Sequence, residues 1–259
     1  GEVVYEVKDL CAVNPRTNVQ LDGINFTIRA GEILGVAGVD GNGQQELEEA
    51  LMGLLPIRRG RILLNGTDIT SLNTAQRRQR GIAHIPSDRL RRGLIPSFTI
   101  EENIILGSQW QAPFAKAGRL VHRRIQEYCR QAIEQFQIRC RSGRELARNL
   151  SGGNQQKVVI ARELSRQPQM IIAAQPTRGV DVGAIEYIHN TLLAMREADK
   201  AILLISAELD EIRSLSDRIL VLYEGRIVAE GRTEEFTESE LGLLMAGHGR
   251  KDRAYGEAV

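Results

Sequence analysis

Residues 32–45 read Glu32-Ile33-Leu34-Gly35-Val36-Ala37-Gly38-Val39-Asp40-Gly41-Asn42-Gly43-Gln44-Gln45, and this stretch decides the fold. Its first six residues form a short apolar run of the kind that lies in a buried parallel strand. Residues 38–43 make a glycine-rich turn, and 45–54 continue as a helix. Outward from this unit the pattern keeps alternating. Strands are expected at 61–64, ended by Asn65-Gly66, and at 82–85, stopped by Pro86. Further strands are expected at 170–174, 201–206 and 218–223, with helices at 182–196 and 208–215. A turn at 223–226 leads to a last strand, 227–230. Strands alternating with helices imply a mainly parallel sheet covered on both faces. Residues 3–7 and 24–28 alternate like strands. Between about 99 and 149 the chain turns polar and helical, with an amphipathic stretch at 121–136, and reads as a helical insertion. The last eleven residues are polar and are expected to fray.

The 259 residues suffice for one large α/β domain with an inserted subdomain. A hydrophobic share of 42% can fill a core. Thirty-four basic and 33 acidic residues leave a net charge of +1, which offers no nucleic-acid surface. Aromatic residues are only 4%, too few for base-stacking platforms. Cys11, Cys129 and Cys140 are odd in number and lack Cys-x-x-Cys spacing, so they read as reduced thiols of a cytosolic protein, not a zinc site. His84, His122, His189 and His248 are scattered without metal-ligand spacing, so no metal site is expected. No apolar run approaches the ~18 residues of a membrane span, and no signal peptide is evident. A strand pattern begins at once after Gly1, which suggests a piece excised from a longer protein.

The turn at 38–45 stands where a phosphate loop would, between an apolar strand and a helix, with glycines spaced as in Gly-x-x-x-x-Gly-Lys-Ser/Thr. The candidate nucleotide-binding residues are Gly38, Asp40, Gly41, Asn42, Gly43, Gln44 and Gln45. The lysine of that pattern brings positive charge to the β- and γ-phosphates, and the hydroxyl binds Mg²⁺. Here those positions hold Gln44, which is neutral, and Gln45, which is too long to copy a hydroxyl. A hydrogen bond to a charged group contributes about 1.5–3 kcal/mol. Losing two would weaken nucleotide binding by about 10²–10⁴, leaving backbone N–H groups to hold ATP or ADP weakly.

A second glycine-rich start lies at Leu150-Ser151-Gly152-Gly153-Asn154-Gln155-Gln156-Lys157, ahead of the apolar run Val158-Val159-Ile160-Ala161. Ser151 is a good N-cap, the glycines admit close approach to the backbone, and a helix N-terminus attracts anions. The whole string resembles the signature motif of ATP-binding cassette (ABC) ATPases, in the form typical of importers of simple sugars and nucleosides. Residues 170–177, Met-Ile-Ile-Ala-Ala-Gln-Pro-Thr, are similar to the family's Walker B strand. Its metal-organising aspartate falls on Ala174 and its water-activating glutamate on Gln175, a neutral amide that cannot act as general base. The switch histidine falls on Ala207, and the glutamine that senses metal and nucleotide on Ser87. No aromatic residue near Val13 would stack on adenine. Thr177-Arg178-Gly179-Val180-Asp181 resembles the D-loop, although Asp181 is also a natural N-cap. Residues 89–104 resemble the region where family members receive a coupling helix of the permease.

The resemblance spans about residues 3–247. It implies a P-loop NTPase (RecA-like) fold: a mainly parallel sheet, a small antiparallel β subdomain, and a helical subdomain at about 95–155. Residues 1–248 would be the nucleotide-binding domain and 249–259 a polar tail. In such ATPases two cassettes pack head to tail, each nucleotide lying between one P-loop and the other's signature. The intact signature (Ser151, Gly152, Gly153, Asn154 and Gln155, with Asp181 of the D-loop) would therefore serve a partner cassette, and this chain would contribute no catalytic residue in cis. Mg²⁺ would be needed only with the partner's site. The expected protein is the C-terminal, degenerate cassette of a bacterial importer ATPase, peripheral on the cytoplasmic face of the membrane. Its expected partners are a second cassette, in the N-terminal half of the same polypeptide, and a transmembrane permease, with neither nucleic acid nor membrane insertion. A stand-alone active ATPase and an ADP-binding regulatory module stay open as alternatives. A soluble relative acting on ribosomes or DNA would need a basic face that the charge balance withholds.

Overall fold

β-Branched and leucine-rich runs become strands, and the structure, a computed structural model, describes residues 1–248. The tail expected at 249–259 lies outside the described residues. In chain order the first elements are β1 (Val3–Val13), β2 (Gln20–Arg29), β3 (Ile33–Ala37), α1 (Gln44–Leu51), β4 (Ile57–Leu64) and β5 (Thr67–Asp68). Next come α2 (Thr74–Gln79), β6 (Ile82–Ile85), α3 (Ile100–Ile105), β7 (Ala115–Lys116), β8 (Arg119–Leu120) and α4 (His122–Gln135). They are followed by α5 (Gly152–Leu164), β9 (Met170–Ala174), α6 (Val182–Glu197) and β10 (Ala201–Ser206). The last are α7 (Leu209–Leu215), β11 (Arg218–Tyr223), β12 (Arg226–Arg232) and α8 (Glu238–Met245).

The chain divides into two units. One joins Gly1–Asn73 to the chain from Ala201 onward; the other is Thr74–Lys200. In the first unit β2, β1, β4 and β5 form an antiparallel sheet in that order. Tyr5, Val7, Leu10 and Ala12 of β1 are buried. β1 outruns the residues 3–7 expected of it. Its polar centre, with Asp9 at φ 48°, shifts register against both neighbours, and pairing then resumes to Val13. β3 pairs in parallel with β10 on one side and β11 on the other, and β12 returns antiparallel to β11. All five residues of β3 and all six of β10 are buried, as a covered parallel sheet requires.

In the second unit β6 and β9 pair in parallel, register Ile82 with Met170. Helix α5 packs against α3, α4, α6 and β6. The insertion is less helical than its composition suggests. Besides α3 and α4 it holds the hairpin β7–β8, turned at Ala117-Gly118 with φ 49° and 75°, the two left-handed residues of a type I′ turn. α3 starts on a capping box: Thr99 accepts from the Glu102 N–H, and Glu102 from that of Thr99. The expected helix 45–54 is shorter in the structure, α1 ending at Leu51, where Met52 caps it before Gly53 (φ 72°). α2 and α8 had no sequence expectation.

Candidate functional site

The loop between β3 and α1 turns on two glycines in backbone conformations that side chains disfavour, Gly41 (φ +95°) and Gly43 (φ +106°). Its polar side chains are engaged within the chain. The Gln44 amide N–H₂ donates to the Gly38 carbonyl at the head of the loop, and Gln44 is buried with no partner for its Oε1 among the described residues. The Gln45 amide donates to Glu49 Oε1 one turn on (2.7 Å). Asn42 is structural: it donates to the Met245 carbonyl (3.3 Å), and its own side-chain oxygen accepts the Glu224 N–H (3.3 Å). Its backbone carbonyl takes the Gly225 N–H (2.8 Å), pinning the loop to the β11–β12 turn. Asp40 and Gly41 are exposed.

α1 itself places three buried carboxylates directly after this loop: Glu46, Glu48 and Glu49. Glu46 is held by neutral donors, Asn14 Nδ2 (3.0 Å) and Thr17 Oγ1 (2.9 Å). The N–H groups of the first turn attract an anion, but the negative charge of these carboxylates opposes one. These acids are plain in the sequence, and the motif reading passed over them. What it could not supply was their burial. A magnesium nucleotide asks this loop for a cation and an oxygen ligand; an amide folded onto Gly38 and another held by Glu49 do not fit that demand.

The start of α5 is built differently. Ser151 caps it, its Oγ accepting from the Asn154 N–H (3.4 Å) and the Asn154 side-chain amide (2.9 Å). Asn154 Oδ1 in turn accepts the Arg139 N–H (2.8 Å). Gln155 donates to the Ala147 carbonyl (3.1 Å) and Gln156 to that of Pro176 (2.8 Å). Ser151 and Asn154 at the surface and Gln155 and Gln156 in the interior therefore brace the start of α5, while the first-turn N–H groups of Gly152 and Gly153 lack i−4 partners by geometry. The chain itself fills the missing side-chain directions of both glycines. A Cβ on Gly152 would lie 2.7 Å from Arg89 Nη2 and from the Gly179 carbonyl. On Gly153 it would lie 2.7 Å from Ala184 Cβ and 2.9 Å from Asp181 Oδ2. Asp181 caps α6 through the Ala184 N–H (3.0 Å), so the N-cap expected of it is present.

Two arginines tie this corner to the turn after β6. Asp88 caps a single π turn, Arg89–Gly93, closed by the Leu94 N–H on the Arg89 carbonyl (2.7 Å). The Arg89 guanidinium donates to the carbonyls of Arg178 (2.6 Å) and Gly179 (3.0 Å). At the far end of α5, Arg162 Nη1 donates to the Gly93 carbonyl (2.7 Å), and its Nε pairs with Glu163 (2.8 Å). Glu163 also takes Arg78 (2.7 Å) and the His84 N–H (3.3 Å). Burial alone would raise the Glu163 carboxyl, but Arg162 and Arg78 outweigh it and hold it below its ordinary value. Apart from the neighbours Arg162 and Glu163, these partnerships are not readable locally, because Arg89 reaches across ninety residues of chain.

The remaining predicted positions fall at strand ends. Ala174 is buried at the end of β9, and Gln175 follows at φ +45°, a left-handed conformation costing a residue with a Cβ about 1–2 kcal/mol. Ala207 follows β10, half-buried, beside Ser206 Oγ, which accepts the Glu208 N–H (3.1 Å). Ser87 is half-buried after Pro86.

Comparison with known proteins matches the ABC transporter family model over residues 21–178. The guanosine import ATP-binding protein NupO of Bacillus subtilis is 49% identical over 252 residues, 97% of this chain and 49% of that protein. The nucleoside import ATP-binding protein NupA of Lactococcus lactis is 45% identical over 246 residues, 95% of this chain and 49% of its own. The chain thus spans about half the length of the curated relatives it matches. Among solved structures, a nucleotide-free ABC-transporter cassette superposes with TM-score 0.77 over 96% of this chain and 100% of its own, at 23% identity. The ADP conformation of the cassette MJ1267 gives 0.73 over 95% and 96%, also at 23%. At such identity these two establish the fold, a P-loop NTPase of mixed α/β type.

Proposed function

The chain belongs to the ABC transporter ATP-binding family, and from that premise we propose that it is the C-terminal cassette of a tandem importer ATPase, acting through its signature corner on a partner's nucleotide. The observation that carries this reading is the contrast between its two glycine-rich corners. At the α5 start the side chains of Ser151, Asn154, Gln155 and Gln156 are used up in bracing, which leaves the first-turn backbone N–H groups and the helix dipole to receive an anion. At the α1 start the side chains face Gly38 and Glu49, where they serve neither cation nor metal. Gln175 and Ala207 add no base and no imidazole, so the chain's own site is read as hydrolytically inactive.

The two arginine ties suggest how force would pass. A permease pressing on residues 89–104 would move the π turn; Arg89 of that turn, bonded to the Arg178 and Gly179 carbonyls beside Gly152, and Arg162 of α5, bonded to the Gly93 carbonyl, would carry the displacement to the signature. The half-length match to full-sized relatives supports a second cassette in the same polypeptide. Similarity to guanosine and nucleoside import proteins favours nucleosides as cargo, with simple sugars as the related class. Among the described residues no helix is long and apolar enough to cross a membrane, and a peripheral place on the cytoplasmic face follows from partnership with a permease.

Ser151→Asp tests the reading, because aspartate caps a helix as well as serine does but adds a negative charge where phosphate would arrive. In the complete transporter this variant should cut ATP turnover at least a hundredfold while the isolated chain keeps its melting temperature. Unchanged turnover would refute the trans role. Steady magnesium-dependent phosphate release from the unmodified chain alone would refute the inactive site.

A further inference from the structure

A cavity of about 690 Å³ opens in the unit Thr74–Lys200, walled by α3, α4 and the loop at 140–144. That volume falls within the range of small-molecule sites. Four guanidinium groups line it, those of Arg123, Arg130, Arg141 and Arg144. Their side chains have no hydrogen-bond or ion-pair partner among the described residues; on the same helix, by contrast, Arg124 is paired with Glu127 (3.3 Å). Arg123 and Arg130 stand seven residues apart on α4, two turns along one face, and Arg141 and Arg144 come from the facing loop. Guanidinium forks match phosphate oxygens in pairs.

The floor has a different character. Cys129 is buried beside Ile133, and burial, with Glu101 and Cys140 adding to it, pushes its thiol up to about 12. The Cys140 thiol is also raised, first by burial and then by Glu145. Both thiols are therefore neutral at physiological pH, and the floor is uncharged and polarisable. Gly143 lets the loop close here, since a Cβ on it would lie 2.9 Å from Cys129 Sγ and from Glu101 Cγ. The Glu101 carboxylate also lines the cavity, and its side chain has no hydrogen-bond partner among the described residues. An unengaged carboxylate repels a bare polyanion and accepts hydroxyl donors, as acidic residues do from ribose diols.

We propose that this cavity binds a small phosphate monoester carrying a vicinal diol, a sugar phosphate or a nucleoside monophosphate, with its phosphate among Arg123, Arg130, Arg141 and Arg144 and its diol on Glu101. Because α3 and α4 both pack against α5, an occupant bears on the helix that starts at Ser151. The site is independent of the trans role assigned to that helix.

The test uses the full 259-residue chain. Alkylation of Cys140 by iodoacetamide at mildly alkaline pH is followed by peptide mass spectrometry, with Cys11 as an internal control. Millimolar ribose 5-phosphate or guanosine monophosphate should slow Cys140 severalfold and leave Cys11 unchanged; inorganic phosphate should protect less, and guanosine should not protect. Arg123→Ala with Arg130→Ala, both at exposed positions, should raise the half-protecting concentration at least tenfold. Glu101→Gln should weaken ribose 5-phosphate and spare inorganic phosphate. No protection of Cys140 by any of the phosphates, or protection that survives the double arginine variant, would overturn the site. Glu101→Gln weakening ribose 5-phosphate no more than inorganic phosphate would overturn the diol contact. Stronger protection by guanosine monophosphate than by ribose 5-phosphate would place the base on the Cys129–Ile133 floor and support the nucleotide form.

Discussion

Helices α1 and α5 both start from glycine-rich turns, but Gly41 of the first and the Gly152-Gly153 pair of the second are glycine for opposite reasons. Before α1, Gly41 has open space where a side chain would go and is needed for its backbone angle, φ +95°. At α5, Gly152 and Gly153 need no unusual angle and are needed for room, because Arg89, Gly179, Asp181 and Ala184 crowd their Cβ directions. The polar side chains differ in the same sense. Those around α1 turn inward or toward carboxylates, whereas those of α5 fasten a surface that leaves its first-turn amides presentable. A glycine in such a motif thus reports a required dihedral, as at Gly41, a required close approach, as at Gly152, or both, as at Gly43.

The largest break in this comparison should come from charge. Glu163→Gln leaves Arg162 and Arg78 facing a neutral amide in a buried place and should cost about 3–5 kcal/mol of stability in denaturant unfolding. The pH dependence has a definite sign. Because its folded-state value is depressed, Glu163 stabilises the chain above the ordinary carboxylate value of 4.5 and loses that contribution as pH falls through the lower folded value. The variant should flatten this acid limb; an unchanged limb would show that other carboxylates set it.

Restoring Lys and Ser with Gln44→Lys and Gln45→Ser should strengthen nucleotide binding by about 10²–10⁴ in equilibrium titration. Turnover should stay absent, since Gln175 and Ala207 are untouched; brisk hydrolysis would show that the missing base is elsewhere. Gly153→Val should lower stability by about 1–3 kcal/mol through overpacking against Ala184 and Asp181, read as a drop in melting temperature. An unshifted melting point would mean that the corner has slack, and the contrast with Gly41 would then dissolve. The smallest effect belongs to Glu46→Gln: Asn14 and Thr17 are neutral donors that an amide oxygen accepts equally well, so stability should change by less than about 1 kcal/mol.

Much of the architecture was legible because it is periodic. The buried strands β3, β9 and β10 stand where unbroken apolar runs foretold them, and the turn at Asn65-Gly66 adopts the left-handed pair its residues favour. The hairpin inside the insertion was not legible, because Ala-Lys-Ala-Gly-Arg-Leu at 115–120 carries too few residues on either side of Ala117-Gly118 to show a strand alternation. In the site, the identities at 44, 45, 174, 175 and 207 could be read at once. The inward fold of Gln44 onto Gly38 and the burial of three glutamates on α1 could not.

By itself the sequence determined the alternation of strands and helices, the family, and which charged groups are missing from the glycine turn. Those are properties of neighbouring residues, fixed by spacing and side-chain type. Only the tertiary structure decided that Gly152 and Gly153 make room for Arg89, Ala184 and Asp181, that Arg162 and Arg78 share one buried carboxylate, and that four arginines whose side chains have no partner among the described residues line one cavity. Such groups meet because burying apolar faces forces distant segments together, and a linear pattern carries no record of which polar atoms then come into reach.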